Sequence, residues 1–320
     1  MRSRVTLVLA ITTVVLGGLL LVPAAYARLV DSDGTPSSAE EKTPVGIEPS
    51  APPPPTLAAA PVSVKGVDGF FSWALLDRES GKISGAKNMT STNSTESMIK
   101  VWIVSDYLRQ LGSKKPPASY LKMASASIRD SNDDATNTLY NAAGGVGSLD
   151  RLIKMCGLTD TSKEIPPGDK RVWWSYTSMS PRDAVRMGEC VKDGTAAGPK
   201  WTEFVLDEMT KVRGTTAAKD QLARQGGGRW GIIDGLPKGI IAQGPVSIKN
   251  GWTLINADGK WHLNCLAITD DWVLSVMTRY SGRKGLDYGA DVCASVASQL
   301  VPPQPGAVLR VPVPLTTKKA

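Results

Sequence analysis

The chain has 320 residues, 42% of them hydrophobic, and a formal net charge of +7 with no basic stripe interleaved with aromatics, which argues against a nucleic-acid-binding protein. Its single histidine, His262, and four cysteines without a CxxC spacing argue against a structural zinc site. The length exceeds that of a usual single domain, but neither end reads as foldable.

Residues 1–27 read as a targeting segment: Arg2 and Arg4 precede an apolar run from about Thr6 to Val22, and Ala25-Tyr26-Ala27 fits a small-x-small cleavage site. The run is near the long limit for a signal peptide, so a retained signal anchor is the alternative. No cysteine lies nearby to take a lipid. Residues 28–65, rich in Pro, Ser, Ala and Glu with four consecutive prolines at Pro52–Pro55, read as a disordered linker that cannot offset its ordering entropy. The Pro-rich stretch 301–320 reads as a flexible tail, which leaves 66–300 for one globular domain. A secreted or cell-wall-associated protein is expected, tethered to a membrane if residues 1–27 are retained. Removing Arg2 and Arg4 lowers the net charge from +7 to +5, which suits anionic wall polymers, a membrane surface or simple solubility. A monomer is expected.

Export to an oxidising compartment permits the four cysteines two disulfides in any of three connectivities. The pairing Cys156–Cys190 with Cys265–Cys293 is favoured, and its second bond would staple a late strand to the last helix. Four buried free thiols are the alternative.

Within the globular part, Gly69–Asp77 alternates and reads as a strand, followed by a turn through Lys82 and a second strand through Ile83. Ser94-Thr95-Glu96 reads as the cap of a helix apolar at Met98, Val101, Trp102, Val104 and Leu108. Gly112 and Pro116-Pro117 end it. Further helices are expected over about Ser119–Ile128, from Asp133 to Gly144, and over Leu149–Met155. Ser180 should cap the next helix, with Pro181 in its first turn, and another covers about Trp201–Lys211. Gly226-Gly227-Gly228 reads as a loop. Pro245–Lys249, Trp261–Thr269 and Trp272–Tyr280 read as strands with turns at Asn256–Gly259 and Asp270-Asp271, and Leu286–Leu300 as a closing helix. The order is α+β with an antiparallel sheet.

Ser-x-x-Lys occurs four times, at Ser84/Lys87, Ser97/Lys100, Ser119/Lys122 and Ser281/Lys284. Only Ser97 opens a strongly apolar helix, where this spacing puts serine and lysine on one face and the first N–H groups are free to stabilise an oxyanion. A partly desolvated lysine beside other cations can act as the base. Ser131 follows in Ser131-Asn132-Asp133, between two helices, where a plain helix cap by Ser131 or Asp133 is the bland reading. Lys249-Asn250-Gly251 comes last, closing a strand, where an ordinary Asn-Gly turn is the bland reading.

In this order, with these spacings, the three elements resemble those of the penicillin-recognising serine hydrolases, the superfamily of class A β-lactamases and D-alanyl-D-alanine peptidases. Further resembling stretches are Ile128–Asn137, Ser180-Pro181-Arg182-Asp183, Arg229-Trp230-Gly231 and Lys249-Asn250-Gly251-Trp252, and together they resemble a group of actinobacterial exported serine hydrolases. The resemblance implies a β-lactamase/transpeptidase-like fold with a five-stranded antiparallel sheet flanked by helices and a helical region. It implies Ser97 as nucleophile, Lys100 as base, and Ser131 and Lys249 as the proton relay. Backbone N–H groups of Ser97 and Trp252 would form the oxyanion hole, while Asp133, Asn250, Gly251 and Trp252 would contact a β-lactam or cell-wall peptide, and no metal or organic cofactor is implied. Three departures stand out. Asp133 stands where the family has Asn and is expected to pair with Lys100, Asn250 stands for Thr or Ser, and the step from Ser97 to Ser131 is short. The Glu-x-x-Asn loop motif that activates the deacylating water is also absent: Glu164 is followed by Ile165-Pro166-Pro167. Slow deacylation is the expectation, and a non-catalytic or weakly acylating wall-binding protein of the same fold is the alternative.

Overall fold

The computed structural model describes residues 54–67, 69–222 and 226–303. The targeting segment, most of the expected linker and most of the expected tail lie outside the described residues. The strands are β1 (Phe70–Asp77), β2 (Ile83–Gly85), β3 (Asn93–Ser94), β4 (Ser178–Met179), β5 (Ser247–Ile248), β6 (Gly251–Ile255), β7 (Lys260–Ile268) and β8 (Trp272–Ser281). The helices are α1 (Lys100–Gln110), α2 (Ala118–Arg129), α3 (Asp133–Ala142), α4 (Val146–Met155), α5 (Pro181–Lys192), α6 (Thr202–Thr210), α7 (Ala218–Leu222), α8 (Ile232–Gly235), α9 (Lys238–Ile241) and α10 (Gly285–Gln299). Short 3₁₀ turns occupy Glu96–Ile99, Trp174–Tyr176 and Gly282–Lys284.

The main sheet is antiparallel in the order β2-β1-β8-β7, with β5 and β6 both on the outer side of β7. Ser247 pairs with Ile268 and Trp252 with Leu263 in one unbroken register. β5 and β6 are therefore one edge strand interrupted at Lys249-Asn250, and the sheet has the expected five lanes. Lys249 does not close this strand, as its sequence suggested. It sits in the middle, with its N–H donating to Leu266 O at 3.0 Å.

β7 is buried along nearly its whole length, as for a strand covered on both faces. On one face, a Cβ added at Gly188 of α5 would touch Val273 and Leu266 side chains. On the other, a Cβ at Gly289 of α10 would lie 2.5 Å from Leu263 and from the Tyr280 hydroxyl, so glycine permits the close approach. The disulfide Cys265–Cys293 joins β7 to α10, and Cys156–Cys190 joins the end of α4 to α5. Both match the favoured pairing.

Residues 54–65, expected within the linker, instead lie against the domain. Leu57 is buried in the core. Ala58 N–H donates to Leu300 O at 2.8 Å, and Ser63 exchanges hydrogen bonds with the Gln299 amide. One apolar side chain and the paired backbone groups of Ala58 and Ser63 hold what composition alone reads as disordered.

Candidate active site

Helix starts place the reactive groups. Ser97 lies in the 3₁₀ turn Glu96–Ile99, which runs straight into α1, so its N–H falls among the first donors of the helix, which lack intrahelical acceptors. Thr95, within the expected Ser94-Thr95-Glu96 cap, occupies the cap position, but its hydroxyl caps no helix N–H and donates instead to Trp174 O at 3.4 Å. At α3, Asn132 is the cap, accepting from Ala135 N–H at 2.8 Å. Asp133, the next residue, opens α3 with its carboxylate on Lys100. Ser180 caps α5 as expected.

Lys100, wholly buried, donates to Ser131 O at 2.5 Å, Ser131 Oγ at 3.2 Å and Asp133 Oδ1 at 2.5 Å. The Trp174 ring lies 5.2 Å from the same ammonium. Lys249, also buried, donates to Ser131 Oγ at 2.9 Å. Ser131 therefore joins two lysines at its hydroxyl. Among the described residues, Ser97 Oγ has no hydrogen-bond partner; it opens instead onto a cleft of about 890 Å³. Glu96 and Ser131 are the two non-glycine residues with positive φ among the described residues, at 50° and 53°. Such conformations cost energy and gather at functional sites.

Burial pushes Lys100 below the usual lysine range, against the opposing pull of Asp133 and Glu96. The expected pairing with Asp133 is present and does raise this group, but desolvation outweighs it. Lys249 is pushed well below the lysine range, by burial first and then by the neighbouring Lys100 charge.

The edge strand supplies the other wall. Lys249 bonds to β7, and hydrogen-bonded positions alternate along an antiparallel strand, so Trp252 presents its N–H to the open edge. Gly251 abuts the turn carrying Ser97: a Cβ there would lie 2.5 Å from Met98 N and Thr95 O and 2.8 Å from Ser97 N. Its smallness permits this contact. Asn250 is buried, and its amide donates to Gly228 O and Trp230 O, so it pins the glycine loop from below. The Trp252 indole donates to Gln221 Oε1 and meets Trp230 edge-on. Of the expected substrate contacts, only Asp133 lines the cleft with its side chain.

The facing wall is aromatic. Trp173, Trp174 and Tyr176 line it, and the Trp174 indole donates to Asn137 Oδ1 at 2.8 Å. Glu164 is exposed and accepts from Ser162 at 2.6 Å, away from the cleft. Among the described residues, the carboxylates lining the cleft are Glu96 and Asp133. Glu96 was legible only as a cap residue; the available signal was a carboxylate directly before the nucleophile at a buried helix start.

Comparison with known proteins bears on the fold. Residues 112–224 match the Beta-lactamase enzyme family. A β-lactamase from Xanthomonas campestris superposes with a TM-score of 0.54 at 15% identity, covering 73% of this chain and 91% of that one. The chain has the β-lactamase/transpeptidase-like fold. A class A β-lactamase from Mycobacterium abscessus gives a TM-score of 0.51 at 16% identity, covering 72% of this chain and 92% of that one. PBP-A gives 0.52 at 16% identity, covering 73% and 90%. No curated protein matches.

Proposed function

We propose that the protein is an exported, monomeric serine hydrolase that acylates Ser97 with an amide, either a β-lactam or a peptide resembling a peptidoglycan stem, and deacylates slowly. The observation that carries this reading is the convergence of Lys100 and Lys249 on the Ser131 hydroxyl beside a cleft floored by Ser97. Neutral Lys100 takes the Ser97 proton as Oγ attacks the carbonyl. As the C–N bond breaks, Ser131 gives its hydroxyl proton to the leaving nitrogen and regains one from protonated Lys100, 3.2 Å away, while Lys249 supports Ser131 and attracts a substrate carboxylate. Ser97 and Trp252 N–H groups stabilise the oxyanion. Slow deacylation follows from the loop wall of the cleft being aromatic, with Glu164 turned to solvent. PBP-A is a relative in fold whose L158E mutant has been seen as an acyl-enzyme with penicillin G, which supports a β-lactam as the first probe. Cell-wall association fits the charge balance.

A second reading, a wall-binding protein without efficient catalysis, is favoured by one observation. The three ammonium protons of Lys100 are engaged by Ser131 and Asp133, and none reaches Ser97. Fluorophosphonate labelling separates the two. The first reading expects one adduct, mapped to Ser97, lost in Ser97→Ala and at least about tenfold slower in Lys249→Ala. A folded sample that takes no label supports the second.

A further inference from the structure

Glu96 is an unusual occupant of its position. It is 3% exposed, adopts a left-handed backbone conformation, and has both carboxylate oxygens in hydrogen-bond contact. Oε2 lies 2.7 Å from Thr253 Oγ1, which also lies 2.7 Å from Trp252 O. Oε1 lies 2.7 Å from Ser94 Oγ. Ser94 Oγ in turn lies 2.7 Å from His262 Nδ1, and His262 Nε2 lies 3.0 Å from Asp258 Oδ2.

Hydrogen atoms decide what this chain of contacts can be. With Glu96 ionised and His262 neutral, Thr253, Ser94 and His262 each bring one hydrogen, too few for the contacts from Trp252 O to Asp258. Thr253 alone has two acceptors and one hydrogen. A proton on Glu96 Oε2 resolves this conflict: Glu96 donates to Thr253, and Thr253 donates to Trp252 O. Ser94 is then left to donate to Glu96 Oε1 or to His262 Nδ1, and a second proton, on His262, fills the last contact.

The elements around both groups are consistent with a neutral Glu96. Burial pushes its carboxyl up, Asp133 acts in the same direction, and Ser94, Thr253 and Lys100 oppose. Tyr176 faces it as well. His262 is pushed down by burial, aided by Arg279 and Lys260 and opposed by Asp258. The residues that Glu96 joins are informative. It immediately precedes Ser97, and Thr253 immediately follows Trp252, so the Glu96–Thr253 contact spans the gap between the two oxyanion donors.

We propose that Glu96 is a positioning residue, whose protonated side chain clamps the turn carrying Ser97 to the edge strand carrying Trp252 and thereby fixes the spacing of the two oxyanion N–H groups. Ser94 connects this clamp to His262 and Asp258. The purpose of the clamp rests on the serine-hydrolase reading; its geometry does not.

The test uses the tag-free protein and the variants Glu96→Ala, Glu96→Gln and Thr253→Val, the last at an exposed position whose loss leaves the core intact. Backbone amide exchange of Ser97 and Trp252 is measured alongside the rate of penicillin acylation. Glu96→Ala and Thr253→Val should speed exchange at both amides and slow acylation about 100-fold, the scale of losing an oxyanion donor. Glu96→Gln, whose amide N–H replaces the carboxyl proton toward Thr253, should recover at least about tenfold of that loss and flatten the alkaline decline of the parent rate. His262, the single histidine of the chain, reports the connection, and its imidazole titration should shift in Ser94→Ala. Parent-like exchange and acylation in Glu96→Ala would overturn the proposal, as would Glu96→Gln behaving like Glu96→Ala. If the parent does not acylate, the serine-hydrolase reading fails, and the amide-exchange arm still decides the clamp.

Discussion

At the scale of single residues, Lys100 is the group on which the proposed activity turns. Its ammonium is held by Asp133 at 2.5 Å, and the Asp133 side chain is 71% exposed on its other side. Asp133 raises the pKa of Lys100, while burial lowers it. Replacing Asp133 by Asn removes the raising influence, so Lys100 loses its proton at lower pH and a larger fraction is neutral near pH 7. Asp133→Asn should therefore shift the rising limb of the acylation pH profile downward and speed acylation near neutrality by up to about tenfold, as for a change of one pKa unit. An unchanged or upward-shifted limb would contradict this assignment. The meeting of Lys100 and Lys249 at Ser131 was legible as an expectation, because Ser-x-x-Lys at an apolar helix start and the order of the three elements are local patterns. The sequence did not reveal that Asn250 pins a loop or that Glu96 faces Thr253. Those contacts join residues 20 and 157 positions apart, and no periodicity carries such information.

At the scale of elements, the turn carrying Ser97 and the edge strand are fitted against each other at Gly251. A methyl group there would meet backbone atoms of Thr95, Ser97 and Met98 rather than yielding side chains. Gly251→Ala should cost about 1–3 kcal/mol of stability, the usual range for overpacking, and should slow Ser97 labelling in the protein that remains folded; denaturant midpoints and labelling rates read the two effects. The disulfides act on a different pair of contacts. Cys265–Cys293 closes a loop with a sequence separation of 28 and Cys156–Cys190 one of 34. Replacing either pair by Ala should cost about 3–4 kcal/mol in the chain-entropy account, seen as a lowered thermal midpoint. The helices were legible from their caps and apolar spacing. The edge strand was not, since Lys249-Asn250-Gly251 followed by a turn signal at Asn256–Gly259 reads as an end when it is an interruption. The strap over residues 54–65 escaped notice because its composition gives no sign of the Gln299 side chain that receives it.

At the scale of the whole molecule, the sheet and its covering helices carry a cleft lined by Ser97, Asp133 and the aromatic loop, which the proposed acyl transfer would use. Fold and function separate here: the fold follows from the order of strands and helices, while the proposed activity depends on how two lysines share one serine hydroxyl. Among the described residues, no helix is long and apolar enough to cross a membrane. The central claim, that Ser97 is a nucleophile whose acyl-enzyme hydrolyses slowly, is tested most directly by following the intact mass of the folded protein after a pulse of penicillin. A one-equivalent adduct on Ser97 that persists long after free penicillin is removed is the expected result. A folded protein that never gains the mass would contradict the nucleophile, and an adduct that vanishes as fast as it forms would contradict slow deacylation.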